Sequence, residues 1–369
     1  MGLPTIILQA GTDRRVFDLY NQLSTHYPTI IWSRAAILGE ALLYPKAIKL
    51  RLNGMQELLQ YVDSRKDTNF VWLPLVEEEA DWLLEQEAIP SNFLFQLPDH
   101  NNYNTARDKR SFTKRFMQDR LTPRLYTPDE LIVDFPAAGV VAKPAIGKGA
   151  IGRRFINKAS DLNNIQSGDL IQERIGEGKE VIGAFFLCKN GEVLAHYQHR
   201  RIRTFPEEGG VSCCAETTMI KEVKVAGSII MKALNWSGLA MIEFLKHPQE
   251  NVYLAIECNA RLWGTVLLSE FSGHHLVLKY IDLCMQIPVR ETCPIPNASI
   301  RWYFPYEIWY ALRFPFRHLG LLFWGGKNTC YIGGTGSEWM RSFGFVFFSV
   351  LNPEKWQILY KKITTSIGR

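Results

Sequence analysis

Apolar residues in the first hundred positions come in short runs separated by amphipathic stretches. Thr5–Gly11, Thr29–Ser33, Phe70–Leu75 and Phe93–Leu97 read as strands. Asp13–Thr25 (capped from Thr12), Gly54–Ser64 (with Asn53 as its N-cap) and Glu77–Gln86 read as helices. Strands alternating with helices at this spacing predict a parallel, doubly wound sheet. The polar run Asp99-His100-Asn101-Asn102-Tyr103-Asn104 reads as the linker that leaves this first domain, residues 1–104. Nothing in the domain carries evident chemistry.

From Arg107 the pattern changes. Arg107–Arg120 reads as one basic helix, and Gly139–Ala145, Arg153–Asn157 and Asp169–Arg174 as strands. Lys179–Cys188 and Glu192–Arg203 form a predicted hairpin around Lys189-Asn190-Gly191, since Asn-Gly suits a tight hairpin turn. Val223–Leu234 and His274–Met285 are helical. Gly238–Leu245 and Val252–Asn259 pair about Pro248-Gln249-Glu250-Asn251. The region 105–289 is thus mixed, largely antiparallel α+β, unlike the α/β segment before it.

Composition narrows the class. A chain of 369 residues with 47% hydrophobic and 21% charged residues is globular and long enough for two or three domains. A net charge of +5 is too dilute to indicate nucleic acid. The N-terminus has no basic lead, Ile6 stands where a myristoylation signal wants Ser or Thr, and no apolar run reaches 18 residues. The expectation is a cytoplasmic protein. Its seven cysteines include no Cys-x-x-Cys pair, and Cys213 and Cys214 are adjacent, which predicts reduced, mostly buried thiols. The histidines lack the spacing of a zinc enzyme.

Three segments carry chemistry. Gly147-Lys148-Gly149-Ala150-Ile151-Gly152 has the G-x-G-x-x-G form, but a strand-like Arg153–Asn157 follows where a dinucleotide fold needs a helix. It therefore reads as a glycine flap between strands, able to bring backbone N–H groups to phosphate, with Lys143 on the strand before it; an ordinary glycine hairpin is the alternative. Leu170–Glu180 is a strand ending in an acidic, glycine-containing connector that could meet an adenine edge or simply be solvated. The third segment is Ala255-Ile256-Glu257-Cys258-Asn259-Ala260-Arg261. Glu257 and Asn259 share one strand face, and pairing through the 248–251 turn brings Glu243 close to Glu257. Two carboxylates and an amide facing one another suit an oxygen-liganded Mg²⁺, or the similar Mn²⁺. The alternative is a structural ion pair of Glu257 with Arg261 or Arg203.

The order glycine flap, acidic hinge, basic strand and Glu…Glu-x-Asn-x-Arg resembles the ATP-grasp superfamily, in particular carboxylate–amine ligases related to carbamoyl phosphate synthetase and D-alanine–D-alanine ligase. The resemblance covers residues 5–286. It implies a Rossmann-like pre-ATP-grasp domain followed by a two-lobed ATP-grasp domain that clasps ATP. It also implies Lys109 and Lys143 as phosphate-contacting lysines, and Lys148, Gly149 and Gly152 as the phosphate-covering flap. Glu173 and Ile175 would form the adenine hinge and Glu180 the ribose contact. Glu243, Glu257 and Asn259 would be metal ligands, and Arg261, with Lys143 and Arg203, would act at the reacting groups. The implied activity is ATP-dependent activation of a carboxylate as an acyl phosphate, then joining to an amine. Lys148 in the flap, Cys258 and Ala260 depart from the usual pattern without removing a ligand.

The stretch from 290 to 369 lies outside the match. Residues 301–350 hold sixteen aromatics and a net charge of 5 − 2 = +3. They read as an aromatic-rich C-terminal subdomain packed on the core or on a second copy in a homodimer. The alternative is a surface for a membrane or lipid-linked substrate. A nucleotide sensor without turnover is the other functional class in view.

Overall fold

The computed structural model describes residues 2–9, 14–147, 152–176, 181–205, 211–302, 328–332, 343–344, 347–348 and 351. The N-terminal part runs β1 (Thr5–Gln9), α1 (Arg14–Leu23), β2 (Thr29–Ser33), α2 (Glu40–Leu43), β3 (Ile48–Arg51), α3 (Met55–Asp63), β4 (Phe70–Trp72), α4 (Glu77–Leu84) and β5 (Phe93–Leu94). The five strands are parallel in the order β3-β2-β1-β4-β5, the doubly wound sheet expected. Ile6 and Leu8 of β1 join one apolar layer with α1, whereas Ile7 joins the opposite layer with α3 and α4. Burial on both faces is why these strands read as unbroken apolar runs.

Two expectations in this part are corrected. Asp99 opens a helix rather than a linker: its carboxylate accepts from Asn102 N–H at 3.0 Å and caps α5 (His100–Arg107). Asn53 is not the cap of α3, because Gly54 takes that place and the Asn53 amide donates instead to Glu57. A third correction follows directly. The basic stretch from Arg107 is two helices, because Asp108 ends α5 and caps α6 (Lys109–Phe116) through Ser111 N–H at 2.7 Å.

β6 (Leu125–Tyr126), α7 (Pro128–Val133), β7 (Val140–Pro144), β8 (Arg154–Ile156) and β9 (Asp169–Glu173) form a small lobe whose antiparallel sheet is ordered β6-β9-β7-β8. Its own core is Leu131, Val140, Ala142, Ile156 and Ile171. β10 (Val181–Lys189), β11 (Glu192–Phe205), β12 (Val211–Thr218), α8 (Lys221–Ala233), β13 (Gly238–Lys246), β14 (Tyr253–Asn259), α9 (Val266–Phe271), α10 (Leu276–Cys284), β15 (Ser299–Trp302) and β16 (Thr329–Ile332) follow. Their sheet is ordered β14-β13-β10-β11-β12-β15-β16, antiparallel except between β15 and β16. Asn190 and Gly191 turn the β10–β11 hairpin with φ of 49° and 79°, as an Asn-Gly turn requires.

The apolar layers of the N-terminal sheet continue into this larger one. Phe185, Leu187 and Met241 extend the first, and Ile182, Phe186 and Ile242 the second. β15 and β16 add the start of the aromatic stretch to the same sheet, and Phe348 packs on Gly39, where a Cβ would lie 2.1 Å away. Most of that stretch lies outside the described residues. Five of the seven cysteines are buried, as expected. No helix among the described residues is long and apolar enough to cross a membrane.

Candidate functional site

The carboxylate pair is built by the β13–β14 hairpin. Glu243 and Glu257 are directly opposed in register, and Met241 opposes Asn259, so both acids and the amide share one face. Cys258, on the other face, is buried in the apolar layer. A bulge just before Glu257 takes Ile256 out of the ladder, since Phe244 opposes Ala255. The Ile256 carbonyl instead accepts from Lys143 Nζ at 3.1 Å. Asn259 Nδ2 donates to Glu257 Oε1 at 3.2 Å, leaving its Oδ1 to accept from Arg261 Nη2 at 3.2 Å.

Two lysines face these acids: Lys143, next to last in β7 of the small lobe, and Lys109, the first residue of α6, which lies 3.7 Å from Glu257 Oε2. Lys109 Nζ also donates to the Gly147 carbonyl at 2.9 Å, which ties the beginning of the glycine connection to the site. Arg201 of β11 pairs with Glu243. Burial pushes Glu243 above the usual carboxylate range despite Arg201, and the charge of Glu257 pushes it further. Glu257 is also raised by burial, but Lys109 and Lys143 hold it below its ordinary value. Burial brings Lys143 down to about 8 against the pull of Glu257. One acid is thus poised towards its neutral form and the other towards its ionised form, as two buried carboxylates facing each other require.

The pairing differs in two places from the ion pairs considered as an alternative. Glu243, not Glu257, takes a guanidinium, and it comes from Arg201 rather than Arg203. Alternation alone puts 199, 201 and 203 on one face, but β11 is irregular between Arg201 and Thr204, where Arg203 opposes Cys214. Arg261 lies next to the acids but pairs with Glu77 of α4, Nε to Oε1 at 3.1 Å. Arg201 and Glu77 are both residues that sequence reasoning missed.

Around this centre β7 and β8 are joined through 145–153, so the glycine motif does connect antiparallel strands and no helix follows it. Gly152 has φ of 78°, a conformation that suits glycine. Lys148, Gly149 and Glu180 lie outside the described residues. Ile175 is buried just beyond β9. The side chain of Glu173 is turned into a separate cluster: Arg120 grips it at 2.6 and 3.0 Å and grips Glu250 at 2.6 and 2.9 Å. Any hinge contact from Glu173 is therefore a backbone one.

That cluster has the composition of a metal site, since Glu173, His247 and Glu250 bring ligand atoms within 4.8 Å of one another. Its hydrogen bonds argue otherwise. His247 Nδ1 accepts the N–H groups of Gln249 and Glu250 at 3.3 and 3.0 Å, so the neutral ring carries its proton on Nε2, which faces Glu173 at 3.3 Å. The nitrogen a metal would need is a donor, and Arg120 already balances the acids. By contrast, Glu243, Glu257 and the Asn259 Oδ1 atom form an all-oxygen set with a raised carboxylate, and these residues fit Mg²⁺.

No protein-family model and no curated protein sequence matches the chain. Solved structures do. An ADP complex of purK, an N5-carboxyaminoimidazole ribonucleotide synthetase, matches with a TM-score of 0.62 at 13% identity over 87% of each chain. Biotin carboxylase from Campylobacter jejuni gives 0.60 at 14% identity, covering 81% of this chain and 74% of its own. Phosphoribosylamine–glycine ligase from Thermotoga maritima gives 0.58 at 14% identity, covering 80% and 78%. At such identities the likeness carries the fold.

Proposed function

We propose that this chain, which has the ATP-grasp fold, is an ATP- and Mg²⁺-dependent ligase that activates a carboxylate as an acyl phosphate and joins it to an amine. The observation that carries the reading is the opposed pair Glu243 and Glu257, faced by Lys109 of α6 and Lys143 of the small lobe. A buried carboxylate pair suits a divalent cation, and the cationic side chains beside it suit the polyphosphate that accompanies such a cation. Purine-nucleotide synthetases and a biotin carboxylase among the similar structures support the class.

In this reading a carboxylate oxygen attacks the γ-phosphorus, the bond to the bridging oxygen breaks, and ADP leaves. The amine nitrogen then adds to the acyl carbon, loses a proton and displaces phosphate. Lys109 and Lys143 neutralise the phosphate oxygens, and Arg261, beside Asn259, holds the transferred group; phosphoryl transfer depends mainly on such positioning and electrostatics. Glu243, Glu257 and Asn259 would hold Mg²⁺, which would supply charge neutralisation to the polyphosphate. The backbone around Glu173 and Ile175 takes the adenine edge, Glu180 the ribose hydroxyls, and the flap with Lys148 and Gly149 excludes water from the acyl phosphate.

The test is nucleotide product and phosphate release with pooled carboxylates (amino acids, sugar acids, short peptides) and pooled amines. ADP plus phosphate that depends on one pool and vanishes in Glu257→Gln is expected. AMP as product, or near-normal turnover in that variant, would overturn the assignment.

A further inference from the structure

We propose that Glu77 is the positioning residue for Arg261, so that the N-terminal domain sets how this guanidinium meets the transferred phosphoryl group. The inference rests on the ligase reading above and extends it to a domain that carries no evident chemistry in its sequence.

The segment after β14 is held by the N-terminal part at several points. Leu262 N–H donates to the Pro74 carbonyl at 2.7 Å, immediately before α4. Arg15 Nη1 donates to the Leu262 carbonyl at 2.5 Å. Tyr103, buried in α5, donates to the Ala260 carbonyl at 3.4 Å and lies 3.3 Å from the Glu77 carbonyl. Glu77 adds the side-chain contact, 3.1 Å from Arg261 Nε. At the far end of the same guanidinium, Nη2 is bonded to Asn259, itself beside Glu257. Nη1 donates to the Leu262 carbonyl at 3.1 Å, so hydrogen bonds at both Nη atoms set the plane of the group, and Glu77 holds its Nε edge by charge rather than by a hydrogen bond.

Glu77 is itself held. It is 8% exposed, and its second oxygen lies 3.8 Å from Arg107, which bonds Asp81 at 2.7 Å. Asp81 in turn lies 3.0 Å from His100 Nε2. The carboxylate thus sits between two guanidinium groups, one anchored within the N-terminal and α5 elements and one presented to the site. Orientation of this kind contributes to catalysis through preorganisation, not through contact with the reacting atoms.

Calorimetric titration of the full-length protein with MgADP, and with the Mg²⁺ complex of the non-hydrolysable triphosphate AMP-PNP, gives the preference for the γ-phosphoryl group as a ratio of affinities. A purely structural role for Glu77 would move both affinities or neither. Arg261→Ala should lower the ratio. Glu77→Gln should lower it about tenfold with MgADP affinity unchanged, and the double variant should fall no further than Arg261→Ala alone. If Glu77→Gln is not folded at the assay temperature, Glu77→Asp, which keeps the charge beside Arg107 but shortens the reach to Arg261, should show the same selective loss. A wild-type ratio in the folded Glu77 variant, or additive losses in the double variant, overturns the inference while leaving the ligase reading in place. A wild-type ratio in Arg261→Ala instead removes Arg261 from the phosphoryl site, and the positioning role falls with it.

Discussion

Replacing Glu79 by Gln should make the protein more stable at neutral pH and change how stability depends on pH. Glu79 lies in the first turns of α4, 6% exposed, and burial raises its pKa from 4.5 to about 8; Glu78 adds to the rise, while Arg34 and Gln9 relieve only part of it. Between those two values the folded protein binds a proton that the unfolded chain has released. Stability therefore falls as pH rises from about 4.5 to about 8. At 1.36 kcal/mol per unit, 8 − 4.5 amounts to roughly 4 kcal/mol by pH 8 and about 3 kcal/mol at pH 7. Glutamine has the shape of the neutral acid without the titration, so the variant should keep that energy. The assay is the thermal midpoint of both proteins from pH 4.5 to 8.5. The expected result is coincidence near pH 4.5 and a lead for the variant that widens to several degrees at pH 7 and above. Parallel curves, or a variant less stable than the parent at pH 8, would refute the reasoning.

Two further outcomes follow from the site. Lys143 loses its charge above about 8 because burial depresses it, so MgADP affinity should weaken as pH rises through that value in the parent protein. Lys143→Met should bind more weakly at pH 7 by about tenfold and lack that pH step; calorimetry at pH 7 and 9 checks both. A Cβ at Gly183 would lie 2.7 Å from His199 Nε2 and 2.9 Å from Phe185 Cζ, both in buried residues. Gly183→Ala should therefore cost about 1–3 kcal/mol in denaturant unfolding, and an unchanged midpoint would show that the row from Glu243 across Gly183 to His199 has room to give.

Strand alternation and the 248–251 turn made the hairpin legible, but that turn alone opposes Glu243 to Ile256; the bulge at Ile256 shifts the pairing by one residue and brings Glu257 opposite Glu243. The parallel sheet was legible through β1, β2, β4 and β5, which are apolar runs, whereas β3 carries Lys49 and Arg51, is largely exposed and was not read as a strand. What stayed hidden depends on departures from periodicity or on contacts distant in sequence. The bulge at Ile256 makes a carbonyl available to Lys143, 113 residues away, and the irregularities after Arg201 decide which arginine meets Glu243. Glu77 reaches Arg261 across 184 positions, from a domain whose acids read as an ordinary helix start. Asp99 was hidden by composition, because a run rich in Asn and His looks like a linker although Asp at its head is a good N-cap.

The charges around the opposed acids come from several elements. Lys109, Lys143 and Arg201 against Glu243 and Glu257 give 3 − 2 = +1, with Lys143 from the small lobe, Lys109 from α6 and Arg201 from β11. If the small lobe moved away, Glu257 would lose Lys143, one of the two cations that hold it below its ordinary value, and its proton affinity would rise. Arg120 counters such movement. It occupies a left-handed conformation with φ of 53° between α6 and β6, and it bonds both Glu173 at the end of β9 and Glu250 in the β13–β14 turn. β9 and the hairpin that carries the acids are thus joined at one guanidinium. Lys143, on the neighbouring strand β7, is thereby kept facing the carboxylates.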